Sequence, residues 1–352
     1  MPGPSRYDVD RAELAALLDA EPAYRADQVW DGLYRRLAEP DELTELPKRL
    51  RTELAAQLPA GLELVTERIA DGGETVKWLW RLAGGATVET VLMRYPERDT
   101  VCVSSQAGCA MGCGFCATGQ AGFERHLTSG EIVEQVVHAL RVSRSSGGKQ
   151  SANVVFMGMG EPFANYDATW VAVERLHDDV GISARNITVS TVGVVPGIRR
   201  LASERLPVNL AVSLHAADDA LRDELVPINR RYPLSTLLAA CADYLNAKGR
   251  RLSFEWALID GVNDRPVDAG NLARACRSLP IPAHVNLIPL NPTPGYAVRG
   301  TPAAGIRAFR DRLRDLGINA TVRRTRGTDI EAACGQLRAE HEAKPVAAPR
   351  RK

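Results

Sequence analysis

The sequence predicts an α/β protein: a partial (β/α)6 barrel behind a small helical domain at the N-terminal end. Two features predict it. After residue 100, six strand-like apolar runs (TVCVSS, NVVFMGM, NITVST, VNLAVSL, RLSFEWALI and AHVNLIPL) alternate with helix-like segments. Near-continuous apolar strands of this kind belong to parallel sheets covered by helices. In addition, each run passes at its C-terminal end into polar or special residues, GCAMGC, GEP, ST-x-G, SLHA, DGVN and NP. Ligands collect at that end of parallel α/β folds. Six units rather than eight leave the barrel open on one side, with room for a large substrate.

In chain order, residues 1–60 read as short helices joined by proline-containing turns, with apolar spacing in AELAALLDA, ADQVWDGLYRRL and ELPKRLRTELAAQL. Residues 61–99 turn strand-like in LELVTERIA, TVKWLWRLA and ATVETVLMRYP, with an Asp71-Gly72-Gly73 turn between the first two. The barrel should occupy residues 100–338. Its helices are SGEIVEQVVHALRVS, DATWVAVERLHDD, IRRLASE, LSTLLAACADYLNAKG, AGNLARACRSL and AGIRAFRDRLRDLG, and a last run, INATVRRTRG, leads into GTDIEAACGQL. Residues 339–352, a basic tail, should be disordered.

Hydrophobic residues at 45% and charged residues at 25% are ordinary for a globular protein. No signal-peptide core opens the sequence, and no run reaches the roughly 18 apolar residues of a membrane span. A cytoplasmic protein without membrane attachment is the expectation. The net charge of +1 hides an asymmetry, because an acidic start is balanced by an arginine-rich end that includes Arg299, Arg307, Arg310, Arg312, Arg314, Arg323, Arg324 and Arg326. Arginine forks suit phosphate, which admits a nucleic-acid partner; a solvated helix face gives the same pattern.

Seven cysteines are too few and too unevenly placed for a disulfide scaffold. Three of them, Cys109, Cys113 and Cys116, crowd into C-x3-C-x2-C in the loop after the first barrel strand. A structural zinc site would need a fourth ligand, with Cys102 or His126 within reach in sequence. A ferredoxin-type carrier closes its cluster with four cysteines, and none suitable follows Cys116. The third reading is a four-iron cluster with one iron left open for a substrate. Cys241 and Cys276, at core-type helical spacing, read as structural.

The motif C-x3-C-x2-C after strand one, with GMGEP after strand two, resembles the radical S-adenosylmethionine (SAM) superfamily. The resemblance sharpens over ETVLM, CVSSQAGCAMGCGFCATG, FMGMGEP, STVGVVP, NLAVSLHA, NLIPLNPTPG and RGTDIEAACGQL. Together these are similar to the RlmN family of dual-specificity RNA methyltransferases, which act on carbon 2 of adenine in 23S rRNA and tRNA. The match runs from about Glu89 to Leu337, and YRADQVWDGLYRR is similar to that family's small RNA-contacting N-terminal domain. The related Cfr-type enzymes methylate carbon 8 of the same adenine and share most of these motifs; Glu161-Pro162 and NPTPG favour carbon 2. A non-enzymatic metal-containing RNA-binding protein is the reading from a different class.

The resemblance implies a 4Fe-4S cluster on Cys109, Cys113 and Cys116, with SAM chelating the open iron. It implies SAM contacts from Gly160, Glu161, Ser190, Ser213, Leu214, His215 and Asn291. Gly158 and Gly160 would let the backbone pass close to the methionine end of SAM. Carbon 2 of adenine is electrophilic, so direct nucleophilic methyl transfer fails, and the implied route has two stages. Cys334 is first methylated. A SAM-derived radical then takes hydrogen from the S-methyl group, which joins carbon 2, and Cys102 resolves the enzyme–RNA adduct through a transient disulfide. Glu89 corresponds to the proton acceptor, although by residue type a strand glutamate usually faces solvent. Arg323, Arg324 and Arg326 would bind RNA phosphate. An electron donor such as flavodoxin or ferredoxin and a monomeric state complete the expectation.

Overall fold

A computed structural model of the protein describes residues 5–149, 152–290 and 298–323. Three short helices open the chain: α1 (Arg11–Leu17), α2 (Tyr24–Tyr34) and α3 (Lys48–Gln57). Asp10 and Glu13 form a reciprocal capping box at the start of α1, so two amides that the helix leaves unbonded find acceptors. An antiparallel meander follows, β1 (Leu62–Ala70), β2 (Thr75–Leu82) and β3 (Thr87–Arg94), and then β4 (Asp99–Cys102). A two-stranded hairpin, β5 (Gln106–Gly108) and β6 (Phe123–His126), brackets the cysteine loop and the single-turn α4 (Ala117–Gln120).

The remaining elements alternate as expected: α5 (Ser129–Ser145), β7 (Ala152–Phe156), α6 (Tyr166–Asp178), β8 (Ile187–Thr191), α7 (Val195–Ser203), β9 (Asn209–Ser213), α8 (Asp219–Leu225), α9 (Leu234–Lys248), β10 (Leu252–Leu258), α10 (Pro266–Arg277), β11 (His284–Pro289), α11 (Ala303–Asp315) and β12 (Ala320–Val322). All six anticipated barrel strands form. The run INATVRRTRG adds a seventh parallel strand, β12, against β11. The meander was read as a connector, yet it continues the same sheet, whose order is β1-β2-β3-β4-β7-β8-β9-β10-β11-β12.

The strands alternate more sharply than their apolar composition suggested. Leu252, Phe254, Trp256 and Leu258 of β10 are buried, as are Val285 and Leu287 of β11. The opposite face of the same strands carries Ser253, Glu255, His284 and Asn286, which border cavities inside the barrel. Glu255 and Asn286 are register partners, and the Asn286 amide donates to Glu255 Oε2 at 2.6 Å. The outer face thus holds the helices by apolar burial, while the inner face is a polar lining.

The helical start packs into the same hydrophobic core as the barrel, from Tyr7 and Leu14 through Val136, Leu176 and Leu313. The Trp30 indole donates to Asp179 Oδ1 at 2.9 Å, and Gly130 N donates to Asp8 Oδ1 at 2.9 Å. No helix among the described residues is long and apolar enough to cross a membrane.

Candidate active site

The C-terminal ends of β7, β8, β9 and β11, with Glu255 from the middle of β10 and Arg323 just past β12, converge on one cleft of about 870 Å³, open to solvent. In a flat sheet the five spacings from β7 to β12 would spread these residues over ~24 Å. Their convergence means the sheet curls into an open barrel.

The cysteine loop forms one wall. Cys109, Cys113 and Cys116 all border the cleft. The loop is held by its own backbone: Cys109 N donates to Gly122 O, Cys116 N to Cys113 O, and Gln120 N to Cys116 O. Burial, chiefly, pushes the Cys109 thiol up to about 12 and raises that of Cys113 as well, with the neighbouring cysteines adding to both. Such thiols keep their protons until a metal displaces them.

Three thiols along one wall of the cleft are a donor set for an iron–sulfur cluster with a corner to spare.

Opposite the cysteines sits Glu161, 2% exposed. Its Oε1 accepts from Phe163 N at 3.0 Å and its Oε2 from Val192 N at 2.8 Å, while its own N–H donates to Gln106 Oε1 at 2.7 Å. Burial lifts its pKa to about 7 against the pull of those amide bonds. The two glycines before it are tight for a reason the sequence did not reveal, since both press on protein backbone. A Cβ on Gly158 would lie 2.5 Å from Val103 O, and Gly160, at φ +101°, would put one 2.7 Å from Gln106 N.

Ser190 and Ser213 border the cleft at the ends of β8 and β9. Leu214 does not, because its side chain is fully buried in the core. His215 adopts φ +57°, strained for a residue with a Cβ. Asn263 holds it there, donating to His215 O and Ala257 O at 2.8 Å each and accepting from Ile259 N at 2.8 Å. The His215 Nδ1 accepts from Ala257 N–H at 2.9 Å, which leaves the ring proton on Nε2 as a donor. Burial, reinforced by Arg222, lowers its pKa to about 3, so the ring is neutral. The Phe115 ring packs on it edgewise at 4.7 Å.

Arg222 is a residue that sequence reasoning missed. It is fully buried, and its guanidinium donates to Leu214 O, Val192 O and Asn229 Oδ1 at 3.1, 2.6 and 2.8 Å. It pins the chain leaving β8 to the chain leaving β9. Burial lowers its pKa to about 10, which still leaves it a cation at neutral pH. Gln106, Asn263, Thr191 and Glu255 were likewise not anticipated.

Cys102, 4% exposed, packs with Val91, Met93, Val155 and Met157, and Met157 borders the cleft. Glu89 lies deeper, 2% exposed, with its carboxylate 2.9 Å from the buried Lys77 ammonium. The solvent-facing position usual for a strand glutamate does not hold here. Cys241 and Cys276 are fully buried, in keeping with a structural role. Asn291, Arg324, Arg326 and Cys334 lie outside the described residues.

A model of the radical SAM superfamily matches residues 103–271. A protein of Frankia casuarinae named "Probable dual-specificity RNA methyltransferase RlmN" is 56% identical over 96% of this chain and 82% of its own length. The chain belongs to the RlmN family. A Chloroflexus aurantiacus protein of the same name is 53% identical over 95% of this chain and 93% of its own. The crystal structure of a radical SAM methyltransferase from Sphaerobacter thermophilus superposes with a TM-score of 0.90 at 53% identity, covering 96% of this chain and 99% of that one. This RlmN-family chain is therefore a SAM-dependent RNA methyltransferase of the radical SAM superfamily with the corresponding α/β fold, and the reading as a non-enzymatic metal protein falls.

Proposed function

We propose that the protein methylates carbon 2 of adenosine in 23S rRNA and in tRNA, through an S-methylcysteine and a transient covalent enzyme–RNA adduct. The observation that carries the proposal is the single cleft in which three thiols face Glu161, the Ser190 and Ser213 hydroxyls and neutral His215, with Cys102 packed beside Met157 at its edge.

In this reading Cys109, Cys113 and Cys116 hold a 4Fe-4S cluster. Gly160, Glu161, Ser190, Ser213, His215 and Asn291 bind SAM, and Leu214 contributes only backbone. When bound, the reduced cluster with SAM supplies radical hydrogen abstraction. Cys334 carries the methyl group as a thioether and delivers its carbon to the base. Glu89 receives the carbon-2 proton. Cys102 attacks the Cys334 sulfur, releasing the methylated RNA and leaving a disulfide that must be reduced. Arg323 at the cleft rim, with Arg324 and Arg326, binds RNA phosphate. A flavodoxin or ferredoxin supplies the electron, and the enzyme works as a cytoplasmic monomer.

The test is anaerobic turnover of the reconstituted enzyme with methyl-labelled SAM and a 23S rRNA fragment, wild type beside Cys334→Ala, read by mass spectrometry. 2-Methyladenosine from wild type alone, with label first on Cys334, is the expected result. 8-Methyladenosine would move the assignment to Cfr-type chemistry. Unmodified RNA from an enzyme that carries iron and cleaves SAM would overturn the proposal.

A further inference from the structure

The barrel has a second mouth, at the N-terminal ends of its strands. It opens into a cavity of about 1280 Å³ bordered by Thr188, Asn209, Ser253 and His284 at the strand starts. Four arginines surround it: Arg98 before β4, Arg185 before β8, and Arg250 and Arg251 before β10. Among the described residues none of the four is paired with a carboxylate. The Arg98 guanidinium lies over the Tyr95 ring, and Arg250 donates to Asn209 Oδ1 at 2.9 Å. Among the described residues the one carboxylate bordering the cavity, Glu255, is 5% exposed and already accepts from Asn286 and Ser253. Met157 and Glu255 border both this cavity and the active-site cleft, so the two lie back to back within the barrel.

Four like charges drawn from three separate loops around one concavity repel one another unless an anion lies among them. Their forked donors match the several oxygens of a phosphate better than one planar carboxylate. We propose that this second mouth is a phosphate-binding site formed by Arg98, Arg185, Arg250 and Arg251. The phosphate comes from one of two sources: the backbone of the RNA substrate, held away from the reacting base, or a free polyphosphate. The site is independent of every step of the methylation chemistry, so its test can fail while that chemistry stands.

The variant Arg185→Gln/Arg251→Gln removes two exposed side chains for which the described residues supply no acceptor. A control, Arg199→Gln/Arg274→Gln, removes the same charge from the outer helices α7 and α10. Each folded protein, checked by its thermal midpoint, is titrated with inorganic pyrophosphate by calorimetry and with a fluorescein-labelled RNA stem-loop over a series of salt concentrations. If RNA is the occupant, the slope of log K against log salt becomes shallower by about 1.5 for two lost contacts at ~0.7 to 0.9 each, and RNA affinity at low salt falls tenfold or more relative to the control. If a free polyphosphate is the occupant, wild type and control bind pyrophosphate, the variant loses that binding at least tenfold, and RNA binding is unchanged. A variant indistinguishable from the control in both titrations overturns the site.

Discussion

The Lys77–Glu89 pair gives the sharpest stability prediction. Lys77 is fully buried and Glu89 is 2% exposed, with the ammonium and carboxylate 2.9 Å apart. Water contributes almost nothing to solvating either charge, so removing one partner takes from the other the opposite charge it is held against. Lys77→Met or Glu89→Leu alone should each cost about 3 to 5 kcal/mol. With an unfolding entropy of ~2.1 cal/mol/K per residue over a chain of this length, 4 kcal/mol lowers the thermal midpoint by about 5 °C. The double variant Lys77→Met/Glu89→Leu removes both charges, keeps the volume, and should return to within about 1.5 kcal/mol of the parent. Urea unfolding followed by tryptophan fluorescence, run as a double-mutant cycle, measures the coupling directly. Single variants that each cost less than about 1 kcal/mol, with no rescue in the double variant, would show that the pair is solvated and the reasoning wrong.

Three further perturbations follow. His138 is wedged edgewise between Trp78 and Trp80, with centroids at 5.0 and 4.6 Å, and burial lowers its pKa to about 4. Its folded-state pKa lies below the unfolded value of about 6.5, so the unfolded chain takes the proton more readily. Roughly 3 kcal/mol of stability should drain away as pH falls from about 6.5 to 4. His138→Phe should flatten that acid limb in urea titrations at successive pH values; an unchanged limb would mean that other groups cause it. Gly158→Ala would place a Cβ 2.5 Å from Val103 O. It should cost ~2 kcal/mol and weaken SAM binding tenfold or more, and a variant with an unshifted urea midpoint would contradict this. Asn263→Ala frees three backbone groups beneath His215 and should cost about 3 kcal/mol, with SAM affinity falling in equilibrium dialysis. Retained affinity would show that the left-handed turn at His215 supports itself.

The barrel strands, the cysteine loop and the strand-end motifs were legible because each leaves a local signature in spacing or in glycine and cysteine content. The polar inner lining was harder to see. Ser253, Glu255, His284 and Asn286 alternate with large apolar residues, yet runs such as LSFEWAL read as apolar overall. Arg222 and Asn263 left no signal of their own, because they act on backbone carbonyls that only the folded chain brings to them. Leu214 shows the converse: it stands between two cleft residues in SLHA, but strand alternation turns its side chain into the core. The arginines of the second mouth, scattered from Arg98 to Arg251, escape any search for charge runs, which sees only the basic C-terminal end.

The bond from Gly130 N to Asp8 has a bearing on biosynthesis. Arg175 reaches the same segment, donating to Asp8 O at 3.1 Å and also to Tyr7 O. This segment, made before the barrel, therefore has docking partners more than 120 and more than 160 residues downstream. Loop closure over such spans is slow compared with forming a single helix. This segment must wait, its docking surface uncovered, until α5 and α6 have been made. A nascent chain stalled before α6 should expose that surface to chaperones, and one stalled after it should not. A segment synthesised ahead of the barrel is thus finished only after much of the barrel has been made.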